Sequence, residues 1–199
     1  LITFSALQLT KSNMFLSNLF TSFWIFLPAA LSNTTPVIAA QIPVLKNLTA
    51  PMDFGLSFRG KRILGANKTI RGLLIGVATS ILVAALQRYV FQNSPFIQGN
   101  MTITGYGNIN ILLFGIMSGL GGILGDAGKS FFKRQKGIAP GTSWFPFDQI
   151  DYVIGGLIFV YPLVRPSFIH IVMIIAIYSL LHPLTTYIGF YLKLKDSPI

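Results

Sequence analysis

The chain has 199 residues, of which 52% are hydrophobic and only 10% are charged, and its mean hydropathy is +0.66. Typical soluble domains carry roughly 25% charged residues, so this composition excludes a water-soluble globule, a disordered tail and a nucleic-acid-binding domain, despite 15 Lys and Arg against 5 acidic residues. The chain has no cysteine, which excludes disulfides, cysteine-ligated zinc and a thiol nucleophile. These values indicate a small polytopic membrane protein.

Five runs are apolar enough to cross the hydrocarbon core of a bilayer, which needs roughly 20 mostly apolar residues. In chain order they cover about 14–40, 72–91, 109–125, 152–164 and 167–192. None of them alternates with the period of two that a membrane β-barrel requires. The predicted fold is therefore all-α, a polytopic membrane protein with about five transmembrane helices.

The first run leaves a second interpretation open. Lys11 precedes it and Ala39-Ala40 follows it, as in a secretory signal. Its apolar part is longer than the roughly 7–15 residues usual for a signal, and cleavage would remove a span that the topology needs. Because the chain begins with Leu1, a start further upstream is also compatible with the sequence.

The basic residues predict the orientation of the helices, because positively charged loops stay in the cytoplasm. Twelve of the 15 Lys and Arg fall in the loop 41–71, the loop 126–151 and the tail. They are Lys46, Arg59, Lys61, Arg62, Lys68, Arg71, Lys129, Lys133, Arg134, Lys136, Lys193 and Lys195. Only Lys11, Arg88 and Arg165 remain for the other side. The sequence thus predicts an external N-terminus and two cytoplasmic loops, which we expect to carry the catalytic residues, in a multi-pass protein of the plasma membrane.

The same two loops hold four of the five acidic residues, Asp53, Asp126, Asp148 and Asp151. Asp126 follows the glycine-rich end of the third run, and an ionisable residue at that depth is by default a functional candidate. Asp148 and Asp151 are spaced i,i+3, which puts both on one face at the start of the fourth helix. Converging carboxylates suit Mg²⁺, which prefers carboxylates together with substrate phosphates. Aspartates at a helix N-terminus also stabilise the helix dipole without any metal, so this alternative stays open.

Basic residues flank these acids in the sequence. Lys129-Ser130-Phe-Phe-Lys133-Arg134-Gln-Lys136 lies between them, and Asn67-Lys68-Thr69-Ile-Arg71 lies before them. A substrate rich in phosphate and bound through a metal needs both signs of charge, whereas a patch that only attracts anionic lipid headgroups needs no acids. The combination favours a phosphate site.

Three further polar side chains are interpreted from their surroundings. Ser130 has no base near it in the sequence, so we expect it to contact phosphate rather than act as a nucleophile. His170 and His182 have no acidic neighbour, and His182-Pro183 is more typical of a helix kink than of a ligand.

The order of these blocks resembles the CDP-archaeol synthase family. Asp148-Gln-x-Asp151 also resembles the Asp-Arg-x-Asp end of the CDP-diglyceride synthetase signature, but before Asp148 the chain lacks the Lys-Asp and His-Gly-Gly elements of those larger enzymes and has a shorter gap. From about residue 22 to the end, the matching landmarks are Leu27-Pro28-Ala29-Ala30, Asn33-x-x-Pro36, Pro51-Met-Asp53-Phe-Gly55, Gly60-Lys-Arg62-Ile-Leu64-Gly65-x-Asn67-Lys68-Thr69-x-Arg71-Gly72, Gly125-Asp126-x-x-Lys129-Ser130-Phe-x-Lys133-Arg134, Pro140-Gly141 and Phe147-Asp148-Gln149-x-Asp151.

The resemblance implies a single integral membrane cytidylyltransferase domain over residues 1–199. It implies Mg²⁺-dependent transfer of CMP from CTP to a phosphorylated diradylglycerol, either 2,3-di-O-geranylgeranylglyceryl phosphate or phosphatidate, with release of pyrophosphate. The metal ligands it implies are Asp126, Asp148 and Asp151, and the catalytic residues are these three with Lys133 and Arg134. The substrate-binding residues it implies are Asn67, Lys68, Thr69, Arg71, Lys129, Ser130 and Arg62. The membrane lipids surround such a bundle, and its small size is compatible with a homodimer.

Two other classes of membrane protein remain as alternatives. A small transporter needs polar residues along a path through the spans, yet apart from the histidines, Gln87 and glycines the spans are apolar. A phosphotransferase that uses CDP-activated lipids carries a denser run of aspartates, which this sequence lacks.

Overall fold

The computed structural model describes residues 4–139 and 142–193, without the side chains of residues 4–12 and of Lys46. Pro140, Gly141 and Lys195, which the sequence analysis names, lie outside the described residues, as does the side chain of Lys11. The described parts contain five helices that are long and apolar enough to cross a membrane, which confirms the predicted all-α polytopic fold.

The elements follow one another as a bundle with short connections. In chain order they are α1 (Phe4–Ala39), α2 (Pro43–Lys46), β1 (Ser57–Phe58), β2 (Lys61–Arg62), α3 (Ile70–Asn93), α4 (Pro95–Asn100), a 3₁₀ turn (Tyr106–Asn108), α5 (Ile111–Gln135), α6 (Phe147–Val164) and α7 (Phe168–Tyr191). The two strands pair as an antiparallel hairpin. The membrane-spanning candidates are α1 from Asn13 onwards, α3, α5, α6 and α7.

Helix α1 forms the core together with α6 and α7. The ring centroids of Phe26 and Tyr178 lie 4.8 Å apart, and the Tyr178 hydroxyl donates to the carbonyl oxygen of Phe23 at 2.6 Å. The Tyr152 hydroxyl in turn donates to the carbonyl oxygen of Tyr178 at 2.8 Å. These bonds satisfy buried hydroxyl groups that lipid could not satisfy. The first helix is therefore an integral part of the bundle, as the span interpretation requires.

Helix α5 lies at the centre because its glycines let three other helices approach its backbone closely. Gly119 faces α3, Gly122 faces α1, and Gly121 and Gly125 face α6. A Cβ atom added to Gly125 would lie 3.0 Å from the Cα atom of Gly155. This contact holds the first turns of α6 against the second half of α5.

Helix α5 continues to Gln135, well beyond the predicted end at residue 125. The prediction followed hydropathy, which falls at Asp126, but charged residues such as Lys and Arg are good helix formers and the backbone bonds continue. The helix ends where Gly137 adopts a φ of +76°. There the Ile138 amide donates to the carbonyl oxygen of Lys133 and the Gly137 amide donates to the carbonyl oxygen of Arg134, both at 3.0 Å. This pair of hydrogen bonds is a Schellman cap. Most of the predicted second loop is therefore helix.

The segment between α2 and α3 folds over this end of α5. Arg59 and Gly60 turn the β1–β2 hairpin with positive φ values of 52° and 73°, as a two-residue hairpin turn requires. The Lys61 ammonium donates to the carbonyl oxygen of Gln135 at 2.6 Å, and the Gly65 amide donates to Ser130 Oγ at 3.3 Å. The two segments predicted to be cytoplasmic thus meet at one end of the bundle.

A network of hydroxyl groups and one histidine joins the elements at the opposite end. His170 Nε2 is hydrogen-bonded to Thr102 Oγ1 at 2.8 Å, and its Nδ1 is bonded to Ser167 Oγ at 2.7 Å. The Thr102 amide donates to Thr21 Oγ1 at 3.0 Å, which ties α1 to the loop before α5. His170 therefore has a structural role at this end.

Candidate active site

Three aspartates converge on one lysine where α5 and α6 lie against each other. Lys129 Nζ lies 3.2 Å from Asp126 Oδ1 and 2.8 Å from Asp148 Oδ1. It lies 2.6 Å from Asp151 Oδ2. The side chain of Asp151 is only 6% exposed and that of Lys129 14%, so these ion pairs are largely removed from water. An ammonium group occupies the point that the three carboxylates share.

Two more lysines contact the same carboxylates from the outside. Lys68 pairs with Asp126 Oδ2, and Lys133 Nζ lies 3.3 Å from Asp148 Oδ1. Lys133 also donates to the carbonyl oxygen of Thr142. The cluster therefore joins three carboxylates to three ammonium groups, and their formal charges cancel. Such balance is what allows charges to be partly buried without being neutralised by a proton.

Helix geometry explains why the cluster forms. On α5, Asp126 and Lys129 are spaced i,i+3 and Lys129 and Lys133 are spaced i,i+4, so all three side chains share one face. Asp148 and Asp151 share a face of α6 by the same rule. Asp148 lies in the first turn of α6, where the helix dipole stabilises a carboxylate. The glycine contact between the two helices then brings both faces together.

Lys68 reaches the cluster from the loop that precedes α3. Thr69 caps that helix, because its Oγ1 accepts a hydrogen bond from the Gly72 amide at 3.1 Å. The Met52 amide donates to the carbonyl oxygen of Lys68 at 2.7 Å and fixes the residue from the other side. The loop therefore holds the Lys68 backbone while its side chain extends to Asp126.

A cavity of about 780 Å³ lies beside the cluster, and its volume is in the range of small-molecule binding sites. Its charged end is lined by Lys68, Asp126, Lys129, Lys133 and Asp148. Apolar residues of α1, α3, α5 and α7 also line it, namely Pro36, Val37, Leu73, Ile123 and Pro183, together with Ala40 directly after α1. The site thus combines a polar end with an apolar wall, as a substrate with a charged head and a lipid tail would need.

The donor set of the cluster suits a hard divalent cation, because all three acids offer carboxylate oxygens. In the parts of the chain that the structure describes, no three acidic or histidine side chains are close enough together to hold a metal ion directly. The reason is that Asp126, Asp148 and Asp151 are arranged around the Lys129 ammonium group. The magnesium site stays a prediction.

The other predicted site residues fall into two groups. Asn67, Thr69 and Arg71 line the cavity together with Lys68. Ser130 instead accepts the hydrogen bond from the first loop described above, so its observed contact is structural, and its contact with phosphate stays a prediction. Arg134 follows Lys133 on α5, and its Nε and Nη1 atoms are buried without a hydrogen-bond partner among the described residues.

Three cavity residues were not singled out as site residues by the sequence. Gln149, His182 and Thr186 all line the cavity, and the His182 ring lies 5.8 Å from the ring of Tyr152. A signal was available, since His182 and Thr186 are spaced i,i+4 and form a polar pair on the apolar helix α7. The sequence alone could not indicate that this face of α7 points towards α6 and the cavity.

Arg62 lies apart from the cluster and holds the first loop together with Asp53. Its Nε and Nη2 atoms each donate to the Asp53 carboxylate at 3.1 Å. The amides of Gly55 and Leu64 donate to the same carboxylate at 3.1 and 2.8 Å. The Arg62 guanidinium, helped by these amides and opposed by burial, lowers the pKa of Asp53 from 3.8 to about 2. The substrate role of Arg62 stays a prediction.

Replacement of Asp53 by Asn is expected to lower the free energy of unfolding by about 2 kcal/mol at neutral pH, from the size of the pKa shift. The pKa of Asp53 is lower in the folded state than in the unfolded state. This stabilisation is therefore present at pH values above 3.8, the unfolded pKa, and is lost as the pH falls towards the folded pKa of about 2. Thermal unfolding of both proteins in detergent at a series of pH values measures the difference. A difference that stays constant down to pH 2 would contradict the assigned ion pair.

Comparison with known proteins gives consistent matches. The family model "CarS-like: CDP-archaeol synthase" matches residues 15–199. A CDP-archaeol synthase of Thermofilum pendens is 34% identical over 88% of this chain and 78% of its own length. That of Methanosarcina barkeri is 34% identical over 86% of this chain and 99% of its own. A solved structure, described as an intramembrane enzyme for archaeal membrane lipids biosynthesis, has a TM-score of 0.64 and 30% identity, covering 82% of this chain and 90% of that one.

Proposed function

The chain belongs to the CDP-archaeol synthase family, whose members are membrane cytidylyltransferases, and we propose that it transfers CMP from CTP to 2,3-di-O-geranylgeranylglyceryl phosphate with release of pyrophosphate. Membership of this family argues against the transporter and the phosphotransferase alternatives. The names of the relatives support an ether-linked archaeal lipid rather than phosphatidate. The structural observation that carries the proposal is the cluster of carboxylates and lysines at the polar end of the 780 Å³ cavity.

The proposed reaction is an in-line displacement at the α-phosphorus of CTP. An oxygen of the lipid phosphate forms the new P–O bond, the bond between the α-phosphorus and the bridging oxygen breaks, and the electron pair leaves with pyrophosphate. The attacking oxygen is already an anion at neutral pH, so no protein base has to remove a proton. The task of the protein is to hold two negatively charged phosphates close together.

The lysines of the cluster suit this task. Lys133 and Lys129 line the cavity from α5, and Lys68 lines it from the first loop, so ammonium groups approach a phosphate from two sides. Asn67 and Arg71 line the wall beside Lys68 and add further donors for the substrate. Donors fixed in a partly dehydrated site stabilise developing charge without having to reorganise.

We propose that Asp126, Asp148 and Asp151 hold Mg²⁺ when the nucleotide is bound. A bound divalent cation polarises phosphoryl oxygens and offsets the charge of the leaving group. Each of the three carboxylates has an oxygen within 3.2 Å of Lys129 Nζ, so the proposed metal ligands already face one point.

Purified protein incubated with radiolabelled CTP, Mg²⁺ and a candidate lipid phosphate tests the function. We expect labelled CDP-lipid and an equal amount of pyrophosphate with the geranylgeranyl ether lipid, about tenfold less product with phosphatidate, and none when EDTA replaces Mg²⁺. Efficient turnover of phosphatidate would contradict the assigned lipid, and turnover in EDTA would contradict the metal.

We also propose that the site faces the cytoplasm. The segments 41–71 and 126–151 carry ten of the 15 Lys and Arg, and they meet at the same end of the bundle as the cluster. The same assay in sealed vesicles tests this orientation, because CTP does not cross the bilayer. Product is expected with external CTP only in inside-out vesicles, and product in right-side-out vesicles would reverse the assignment.

A further inference from the structure

The position of Lys129 is unusual for a residue whose expected partner is phosphate. Its Nζ atom contacts Asp126, Asp148 and Asp151 at 2.6–3.2 Å, whereas Lys68 and Lys133 each contact one of these acids. The ammonium group therefore occupies the place where the carboxylates are expected to bind a divalent cation.

The charges of the cluster oppose a metal ion that arrives alone. The three carboxylates are already balanced by three ammonium groups, so a bare divalent cation adds two uncompensated positive charges at a partly buried site. Like charges in such surroundings repel strongly, because the effective dielectric constant is lower than that of water. The cation must therefore be accompanied by negative charge, or Lys129 must leave.

The triphosphate of CTP supplies that negative charge. Lys129 lines the cavity, so its flexible stem has room to swing from the carboxylates to a phosphate oxygen without movement of α5. The movement exchanges three carboxylate contacts for phosphate contacts and frees the convergence point for the metal. Binding of CTP and binding of the metal then favour each other, which is the definition of a coupling between two ligands.

We propose that Lys129 is a resident counter-cation that keeps divalent metal out of the site until CTP binds. The proposal rests on the proposed function, because it takes Asp126, Asp148 and Asp151 to be the metal ligands. It makes Lys129 a positioning residue for the carboxylates in the free protein and a phosphate ligand in the complex.

Binding of Mn²⁺, as a spectroscopically visible substitute for Mg²⁺, tests the proposal. Protein-retained Mn²⁺ is measured by equilibrium dialysis in detergent, with and without α,β-methylene-CTP, against a protein-free chamber. The wild type is expected to bind Mn²⁺ about tenfold more weakly without the nucleotide than with it. Lys129→Met, which keeps the aliphatic stem, is expected to bind about tenfold more tightly than wild type without the nucleotide and to lose most of the nucleotide dependence.

A matched control separates this effect from a general change of charge. Lys61→Met removes the same charge from the neighbouring loop, where the ammonium group donates to the backbone carbonyl oxygen of Gln135, and is expected to bind Mn²⁺ as the wild type does. The wild-type comparison needs no variant, so it stands even if Lys129→Met folds poorly. Without nucleotide, Mn²⁺ should also raise the unfolding temperature of Lys129→Met, since it restores the positive charge that this substitution removes.

The possible results lead to different conclusions. Equal nucleotide-free affinity in wild type and Lys129→Met, or tight nucleotide-free binding in the wild type, overturns the role of Lys129 and leaves the metal site intact. No specific binding of Mn²⁺ in either protein, even with the nucleotide analogue, overturns both this proposal and the metal site of the proposed function.

Discussion

Replacement of Asp126 by Asn is expected to lower kcat by about a hundredfold or more, which corresponds to about 3 kcal/mol of lost transition-state stabilisation. The substitution keeps the shape of the side chain but removes the charge that pairs with Lys68 and Lys129. It also removes one of the three proposed metal ligands. Initial rates of CDP-lipid formation over a range of Mg²⁺ concentrations measure the effect and show whether the metal requirement has changed.

We expect Asp126→Asn to lower kcat without impairing insertion of the protein into the membrane. Asp126 lies on α5 beyond the glycine contacts that hold the bundle, so Asp126→Asn should reach the membrane in normal amounts and keep its helical circular dichroism. A variant with normal turnover and an unchanged Mg²⁺ requirement would contradict the assigned role of Asp126. A variant that fails to insert would show that the cluster is needed for folding.

Hydropathy was sufficient to predict the number of membrane helices but not their lengths. Each of the five predicted runs corresponds to one helix, because about 20 apolar residues have few other ways to satisfy their backbone in lipid. Hydropathy fails where a helix leaves the apolar region, as α5 does at Asp126 and continues to Gln135. The end at Gly137 depends on a backbone conformation that glycine favours, which a hydropathy scan does not register.

The sequence predicted which residue types form the site more fully than it predicted which of these residues contact each other. The spacing of Asp148 and Asp151 follows from helix periodicity and predicted one polar face, whereas Asp126 and the lysines three and seven residues after it were predicted to lie in a loop and share a face only because α5 continues to Gln135. Which face meets which depends on the packing of α5 on α6, and that packing is set by uncharged residues, Gly121 and Gly125 on α5 and Gly155 on α6. For this reason the sequence indicated carboxylates and lysines but not the single lysine that all three carboxylates share.

The small residues on α5 should matter as much as the charged ones. A Cβ atom at Gly125 would overlap the carbonyl oxygen of Asp151, so Gly125→Ala is expected to push α6 away from α5. Overpacking of this kind typically costs about 1–3 kcal/mol of stability. Because Asp151 lies only 2.6 Å from Lys129, the displacement should also lower kcat by about tenfold or more. Thermal unfolding in detergent and initial rates measure the two effects.

Gly128→Ala on the same helix is the matched control. A Cβ atom there meets no atom within 4 Å, so the change adds helix propensity without crowding and should stabilise α5 by up to about 1 kcal/mol. The two glycines lie within one turn of each other, so the pair of variants differs in the space around the added methyl group and hardly in position along the helix. If both substitutions lower the unfolding temperature equally, helix α5 is sensitive to any added methyl group. In that case the close approach of α6 at Gly125 is not what holds Asp151 against Lys129.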